Sequence, residues 1–401
     1  MMTIKRGGSV TVVLGALLAA ASPASLAAAV PPAGLCQSAE PGGPAVSKLP
    51  WAQTWLAPER VWPSSTGQGV TVAVIDSGVD ADHPQLRQPG VVLPGRDLLT
   101  PGDKRADFDC VSHGTAVASI IAARPVDGIG FRGVAPGARI LPVRVSERDA
   151  GDQQGAAVNA TVFASAIRYA ADAGAKVVNI SLSLYVDLAP VRTAVRYAQS
   201  RDVLIVASVG NAHNNQGTDP VTYPAAYPGV LGVGAITIDG SRLQSSQQGA
   251  YVDIAAPGGG VLAATRQRGH RYFDGTSFAA GFVSGTAALV RAANPRWSAA
   301  QVATRLMATA TPAPGPVGQY GAGVVNPYRA VRDALDTSPP TPLPKVSPSP
   351  VDVAAERRIA AWQDSGRLAR RFAAAAAVGA AVLVVASIVI PVGRRRRWHA
   401  G

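Results

Sequence analysis

Five short apolar runs rich in β-branched residues recur through the middle of this 401-residue chain: Val70–Ile75, Ile140–Val145, Lys176–Leu182, Val203–Ala207 and Val230–Ala235. Stretches of helical pattern separate several of them, notably Val158–Ala173 and Val191–Ser200. A strand that is apolar on both sides must be covered on both faces, and alternation of strands with helices supplies that cover. The chain is therefore expected to form an α/β sandwich around a mainly parallel sheet. In such sheets functional residues gather at the carboxyl ends of the strands.

Three separated blocks fit that placement: TVAVIDSGVDADHP around Asp76, SHGTAVASIIAA around His113 and FDGTSFAAGFVSGTAALV around Ser277. Asp76 directly follows the run Val70–Ile75, while His113 and Ser277 each open a helical pattern. A serine hydroxyl is a poor nucleophile near neutral pH. It attacks a carbonyl only when an imidazole takes its proton, and that imidazole needs a carboxylate to fix its tautomer. Each block supplies one of these parts. Singly, Asp and Ser are common turn and cap residues, so the signal lies in their combination.

The flanks place the chain in a cell. Residues 1–29 read as a secretory signal peptide, with Lys5 and Arg6, an apolar run Val10–Ala20 and small residues to Ala29. Residues 373–392 form an uncharged apolar run of the length a bilayer requires, followed by Arg394–Arg397. After export such a run acts as a stop-transfer helix, leaving the basic tail 393–401 inside. The Pro-rich stretch 337–350 within the juxtamembrane segment 336–372 reads as an extended stalk. The only cysteines are Cys36 and Cys110. In an oxidising compartment an isolated pair forms one disulfide more often than two free thiols, although sequence alone does not bring the two together.

The net charge of +12 does not mark a nucleic-acid binder, because six of the basic residues sit in the signal and the tail and no basic cluster with aromatics stands between them. The glycines Gly258–Gly260 lack the strand and spacing of a nucleotide loop. The His and acidic residues show no ligand spacing for a metal, so no metal site and no cofactor is expected.

Over most of residues 60–335 the chain resembles the subtilisin-like serine proteases, a family whose three catalytic blocks follow in the order Asp, His, Ser. The resemblance implies a three-layer sandwich of subtilisin type over residues 61–335, with Asp76, His113 and Ser277 as triad. A fourth block, VASVGNAHNN, implies Asn211 as the side-chain donor of an oxyanion hole. Ser181, Leu182 and Ser183 fall where the family pairs with substrate backbone. Ser183, Val209 and Thr222 are each bulkier than the family's usual residue, which implies a narrowed pocket preferring a small residue before the scissile bond. Gly281 stands where the family carries proline and is expected to loosen the helix behind Ser277, since helical glycine costs up to about 1 kcal/mol. His83 matches a structural turn, and Tyr223-Pro224 a cis-proline site.

The segment 30–60 is too short for a separately folded pro-domain and is expected to wrap the catalytic domain, pinned beside His113 by a Cys36–Cys110 bridge. Signal, wrap, protease domain, stalk and span together resemble the mycosins, membrane-anchored proteases of type VII secretion systems. That resemblance implies exported protein substrates, a lipid bilayer and the secretion membrane complex as partners. It also admits a second role, as a structural subunit of that complex with secondary protease activity.

Overall fold

A computed structural model describes residue 36 and residues 39–147, 159–213, 219–334, 370–381, 383–385, 389–391 and 393. The signal segment 1–29, the stretch 337–350 and the tail beyond 393 lie outside the described residues.

The first unit, which ends at Leu335, is built on a seven-stranded parallel sheet. Its strands are β1 (Thr71–Asp76), β2 (Arg96–Asp97), β3 (Arg139–Arg144), β4 (Val177–Ile180), β5 (Leu204–Ser208), β6 (Val230–Ile236) and β7 (Ile254–Pro257), in the order β2-β3-β1-β4-β5-β6-β7. A two-stranded antiparallel hairpin, β8 (Val261–Ala264) and β9 (His270–Phe273), follows. Every residue of β1, β4, β5, β6 and β7 is buried, which is why these strands carry apolar runs without alternation.

Helices cover both faces. Phe163, Ile167, Val191 and Val195, from α3 (Ala160–Asp172) and α4 (Ala189–Ser200), share one apolar cluster with Ile75, Ile180 and Ile205 of the sheet. On the other face α1 (Trp51–Leu56), α2 (His113–Ala122), α5 (Thr276–Ala293) and α6 (Ala299–Ala308) bury Val117, Ile120, Phe278 and Leu306 against Val72, Val74 and Val206. The short helices α7 (Val317–Tyr320) and α8 (Pro327–Arg332) complete the unit. Sequence-coded caps start several helices. Asn159 accepts from the N–H groups of Thr161 and Val162 to open α3, and Ser298 forms a capping box with Gln301 to open α6.

Helix α5 runs unbroken through Gly281, against the expectation of loosened first turns. The glycine marks a close helix crossing instead: a Cβ there would lie 3.2 Å from Ile120 Cγ2 and 3.5 Å from the Val117 carbonyl oxygen of α2. Strand β4 stops at Ile180, so Ser181–Ser183 extend beyond it as irregular backbone, and only Leu184 pairs again, with Tyr223. The Tyr223-Pro224 peptide is cis.

Cys36 and Cys110 are joined in a disulfide with their Cα atoms 5.4 Å apart. The extension beyond it lies along the first unit through backbone bonds from Glu40 N–H to Cys110 O, Gly43 N–H to Arg268 O, His270 N–H to Pro44 O and Gly130 N–H to Val46 O. Among the described residues the second unit contains one helix, Arg370–Pro391, long and apolar enough to cross a membrane.

Candidate active site

Asp76 is the last residue of β1, from which the sheet order runs outward in both directions. His113 is the first residue of α2. Two glycines let them meet. Gly78, at φ +100°, turns the chain out of β1, and a Cβ on Gly114 would fall 2.1 Å from the Gly78 carbonyl oxygen. Only a hydrogen fits there, so α2 seats directly on the exit turn of β1. As a result His113 Nδ1 lies 2.7 Å from Asp76 Oδ1, with both side chains buried. Asp76 Oδ1 also accepts from the Ser77 N–H at 2.7 Å, which fixes the carboxylate plane. The His113 ring rests against Phe278, centroids 5.3 Å apart.

Ser277 is the second residue of α5, where unsatisfied N–H groups and the helix dipole favour developing negative charge. Its hydroxyl donates to the Ser181 carbonyl at 3.2 Å, and the Ser181 hydroxyl donates to the Ser277 carbonyl at 3.4 Å. Asn211 follows β5 on the neighbouring loop. Its Oδ1 accepts from the Thr276 N–H at 2.9 Å and from the Thr276 hydroxyl at 3.1 Å, which assigns the amide orientation and leaves Nδ2 as the carboxamide's donor. The fold thus brings Asp76, His113, Ser277, Asn211 and Ser181 to the carboxyl ends of β1, β4 and β5 and the starts of α2 and α5.

The pocket residues are placed less uniformly. Leu182 and Ser183 are half-buried beside Ser181. Thr222 is fully buried and donates to Gln247 Oε1 at 3.2 Å. Val209 is also fully buried, but it belongs to the apolar cluster beneath the sheet and packs toward Gly232. It is not brought to the site surface.

Three residues around the site gave no sequence signal. Gln247 is fully buried under Gly210, where a Cβ would strike its Oε1 at 1.9 Å, and its Nε2 donates to the Pro220 carbonyl at 2.8 Å. His213 and Asp219 form a buried pair, Nδ1 to Oδ1 2.8 Å, just past Asn211. A glutamine in QQG, and a lone His and Asp in a loop, are too common to stand out. Among the described residues no group of His, Cys, Asp and Glu is arranged to hold a metal ion.

Asp76 and His113 are in direct contact, and Ser277 stands at the start of α5, which packs against the helix that His113 opens. Residues 67–323 match the subtilase family model of peptidase S8. Subtilisin Savinase from Lederbergia lenta is 38% identical over 269 residues, covering 67% of this chain and 92% of that relative. Among solved structures, MycP1 from Mycobacterium smegmatis superposes with a TM-score of 0.64 at 30% identity, covering 76% of this chain and 92% of that one. MycP3, described as a protease from the type VII (ESX-3) secretion system, gives a TM-score of 0.64 at 32% identity, covering 74% and 93%. The chain belongs to the subtilase family and is a subtilisin-like serine endopeptidase.

Proposed function

We propose that this chain is a membrane-anchored endopeptidase of mycosin type that cleaves exported proteins, including substrates of a type VII secretion system, through an Asp76–His113–Ser277 triad. The observation that carries the catalytic part is the 2.7 Å contact of His113 Nδ1 with Asp76 Oδ1, in the fold that also sets Ser277 at a helix start. Ser277 attacks the scissile carbonyl while His113 takes its proton and later returns it to the leaving amine. Asp76 holds the imidazole and supports the imidazolium. Asn211 Nδ2 and the Ser277 N–H stabilise the tetrahedral oxyanion.

In the resting chain the nucleophile donates to Ser181 O, an acceptor that substrate backbone would claim on pairing with Ser181–Ser183. Substrate binding then frees the hydroxyl for His113. The MycP1 and MycP3 likeness and the apolar helix Arg370–Pro391 support the membrane and secretion part of the reading, with the protease domain on the outer face and the basic tail inside.

A fluorophosphonate probe on the purified chain tests the site: labelling is expected in the wild type and lost in both Ser277→Ala and His113→Ala. Labelling that survives in Ser277→Ala would remove the assignment. Comparing assembly of the secretion complex in a Ser277→Ala strain and a deletion strain separates proteolysis from a structural role.

A further inference from the structure

Asp109 is a fully buried carboxylate that the reaction described above does not use. Four donors fill its two oxygens. Oδ1 accepts from the Ser77 hydroxyl at 3.0 Å and the Val111 N–H at 3.0 Å. Oδ2 accepts from the Thr115 N–H at 2.9 Å and the Thr115 hydroxyl at 2.7 Å. Neither hydroxyl has a free choice of direction. The Ser77 hydroxyl accepts from the Gly114 N–H at 2.9 Å, and the Thr115 hydroxyl accepts from the Asp80 N–H at 3.0 Å. Two relays therefore end on one carboxylate: Gly114 N–H to Ser77 to Asp109, and Asp80 N–H to Thr115 to Asp109.

Their backbone ends are the neighbours of the catalytic pair. Ser77 follows Asp76, Gly114 follows His113, and Asp80 lies on the turn that Gly78 opens. Asp109 also satisfies an orphan N–H in the first turn of α2, whose N-cap Ser112 makes no side-chain cap bond and sits at φ +64°. We propose that Asp109 is a positioning residue for catalysis, its ionised carboxylate tying the strand end that carries Asp76 to the helix start that carries His113. The proposal rests on the triad reading.

A proton on Asp109 has no lone pair to occupy without breaking one of the four bonds, so protonation uncouples a relay. Burial, opposed by these donors and reinforced by the nearby Asp76 charge, pushes the carboxyl up to about 6. The charged and titratable groups around this node are Asp76 and Asp80 on the exit turn, His113 on α2, Glu40 of the extension, whose N–H bonds Cys110 O, and Arg266 on the β8–β9 turn. Arg266 Nε donates to the Asp109 carbonyl at 3.0 Å, not to its carboxylate.

The test uses the full chain and a fluorophosphonate probe, with labelling kinetics followed from about pH 5 to pH 9. Asp109→Asn presents an amide donor to hydroxyls already committed as donors. It is expected to lower the limiting labelling rate by about 10- to 100-fold, with half-saturating probe within about twofold. Its acid limb should lose the contribution of an ionisation near 6 that is expected of Asp109 in the wild type. The downfield proton resonance of His113 Nδ1–H should move or broaden. Should Asp109→Asn not fold, Ser77→Ala, which cuts one relay, should lower the limiting rate and shift the same resonance.

A folded variant with wild-type rate, or a slowed one with an unchanged acid limb and unchanged resonance, overturns the proposal. A wild-type chain that takes no label strikes the triad reading instead, and the resonance then decides the role of Asp109 on its own.

Discussion

Thr276 grips the carboxamide of Asn211 through two donors, its N–H at 2.9 Å and its hydroxyl at 3.1 Å, both to Oδ1. Because Thr276 precedes Ser277 on α5, one helical turn both presents the nucleophile and aims the proposed oxyanion donor. Asn211→Ala should keep the fold and lower the acylation rate by roughly 10²–10³, the usual cost of losing one such donor. Stopped-flow acylation with a melting-temperature control checks this, and wild-type acylation in the variant would take Asn211 out of the mechanism.

The primary pocket should favour Gly, Ala or Ser before the scissile bond. Thr222 donates to Gln247 beside Gly210, and Ser183 is half-buried next to Ser181; on the pocket reading both take up space that a larger substrate side chain would need. Thr222→Gly should raise the relative cleavage of Leu- over Ala-containing peptides by about 10-fold or more, since one or two methylenes are worth about 1–3 kcal/mol in such a pocket. Cleavage-site profiling by mass spectrometry measures it. A wild-type profile dominated by Phe or Leu would show that the pocket is not narrowed.

Acid should destabilise the fold through two buried histidines. His83 and His270 are each pulled down to about 4, chiefly by burial, with their rings 5.8 Å apart. Between about 6.5 and 4 the unfolded chain binds protons at these sites that the folded chain does not, so stability is lost as pH falls through that window. Asp109, raised to about 6, works the other way, because the folded chain takes up its proton first. Two histidines outweigh one carboxyl. Urea midpoints measured at about pH 7 and pH 4.5 should therefore fall with acidification, and His270→Asn should leave the two midpoints nearly equal. An unchanged difference in the variant would place the acid sensitivity elsewhere.

The extension should depend on its bridge. Reducing Cys36–Cys110 removes a link that typically contributes about 2–4 kcal/mol, leaving the backbone bonds of Glu40, Gly43, Pro44 and Val46 to hold the segment. Limited trypsin digestion should then cut at the exposed Lys48 much faster than in the oxidised chain. Equal cutting rates with and without reductant would mean that the backbone contacts suffice.

The main strands were legible because their burial on both faces forces apolar β-branched runs, and Val70–Ile75 became β1 within one residue at each end. Strand β7, IAAP, escaped notice because alanines carry no strand signature, and β2 is only two residues long. The candidate site stood out in the sequence where chemistry demands a rare combination, as at Asp76, His113 and Ser277. The supports around it did not: Ser77 and Gln247 act through partners 25 to 32 residues away, while Asp109 and His213 are single acidic and His residues in loops, too common in sequence to stand out. The expected weakness at Gly281 failed for the same reason: its cost is local, while its use is a contact with Ile120 and Val117 across the fold.

That contact ties the spacing of the proposed base and nucleophile to how closely two helices cross. Ser277 stands about one turn from the crossing at Gly281, and His113 about one turn from Val117 on the partner helix, so the two side chains are the short arms of a pair of crossed rods. A methyl group added at Gly281 would meet Ile120 Cγ2 at 3.2 Å, so the neighbour must give by a few tenths of an ångström, and any part of that shift taken up as helix tilt would reach both side chains without touching either. On the triad reading, the packing at a buried point where nothing reacts bears on how the base and the nucleophile meet.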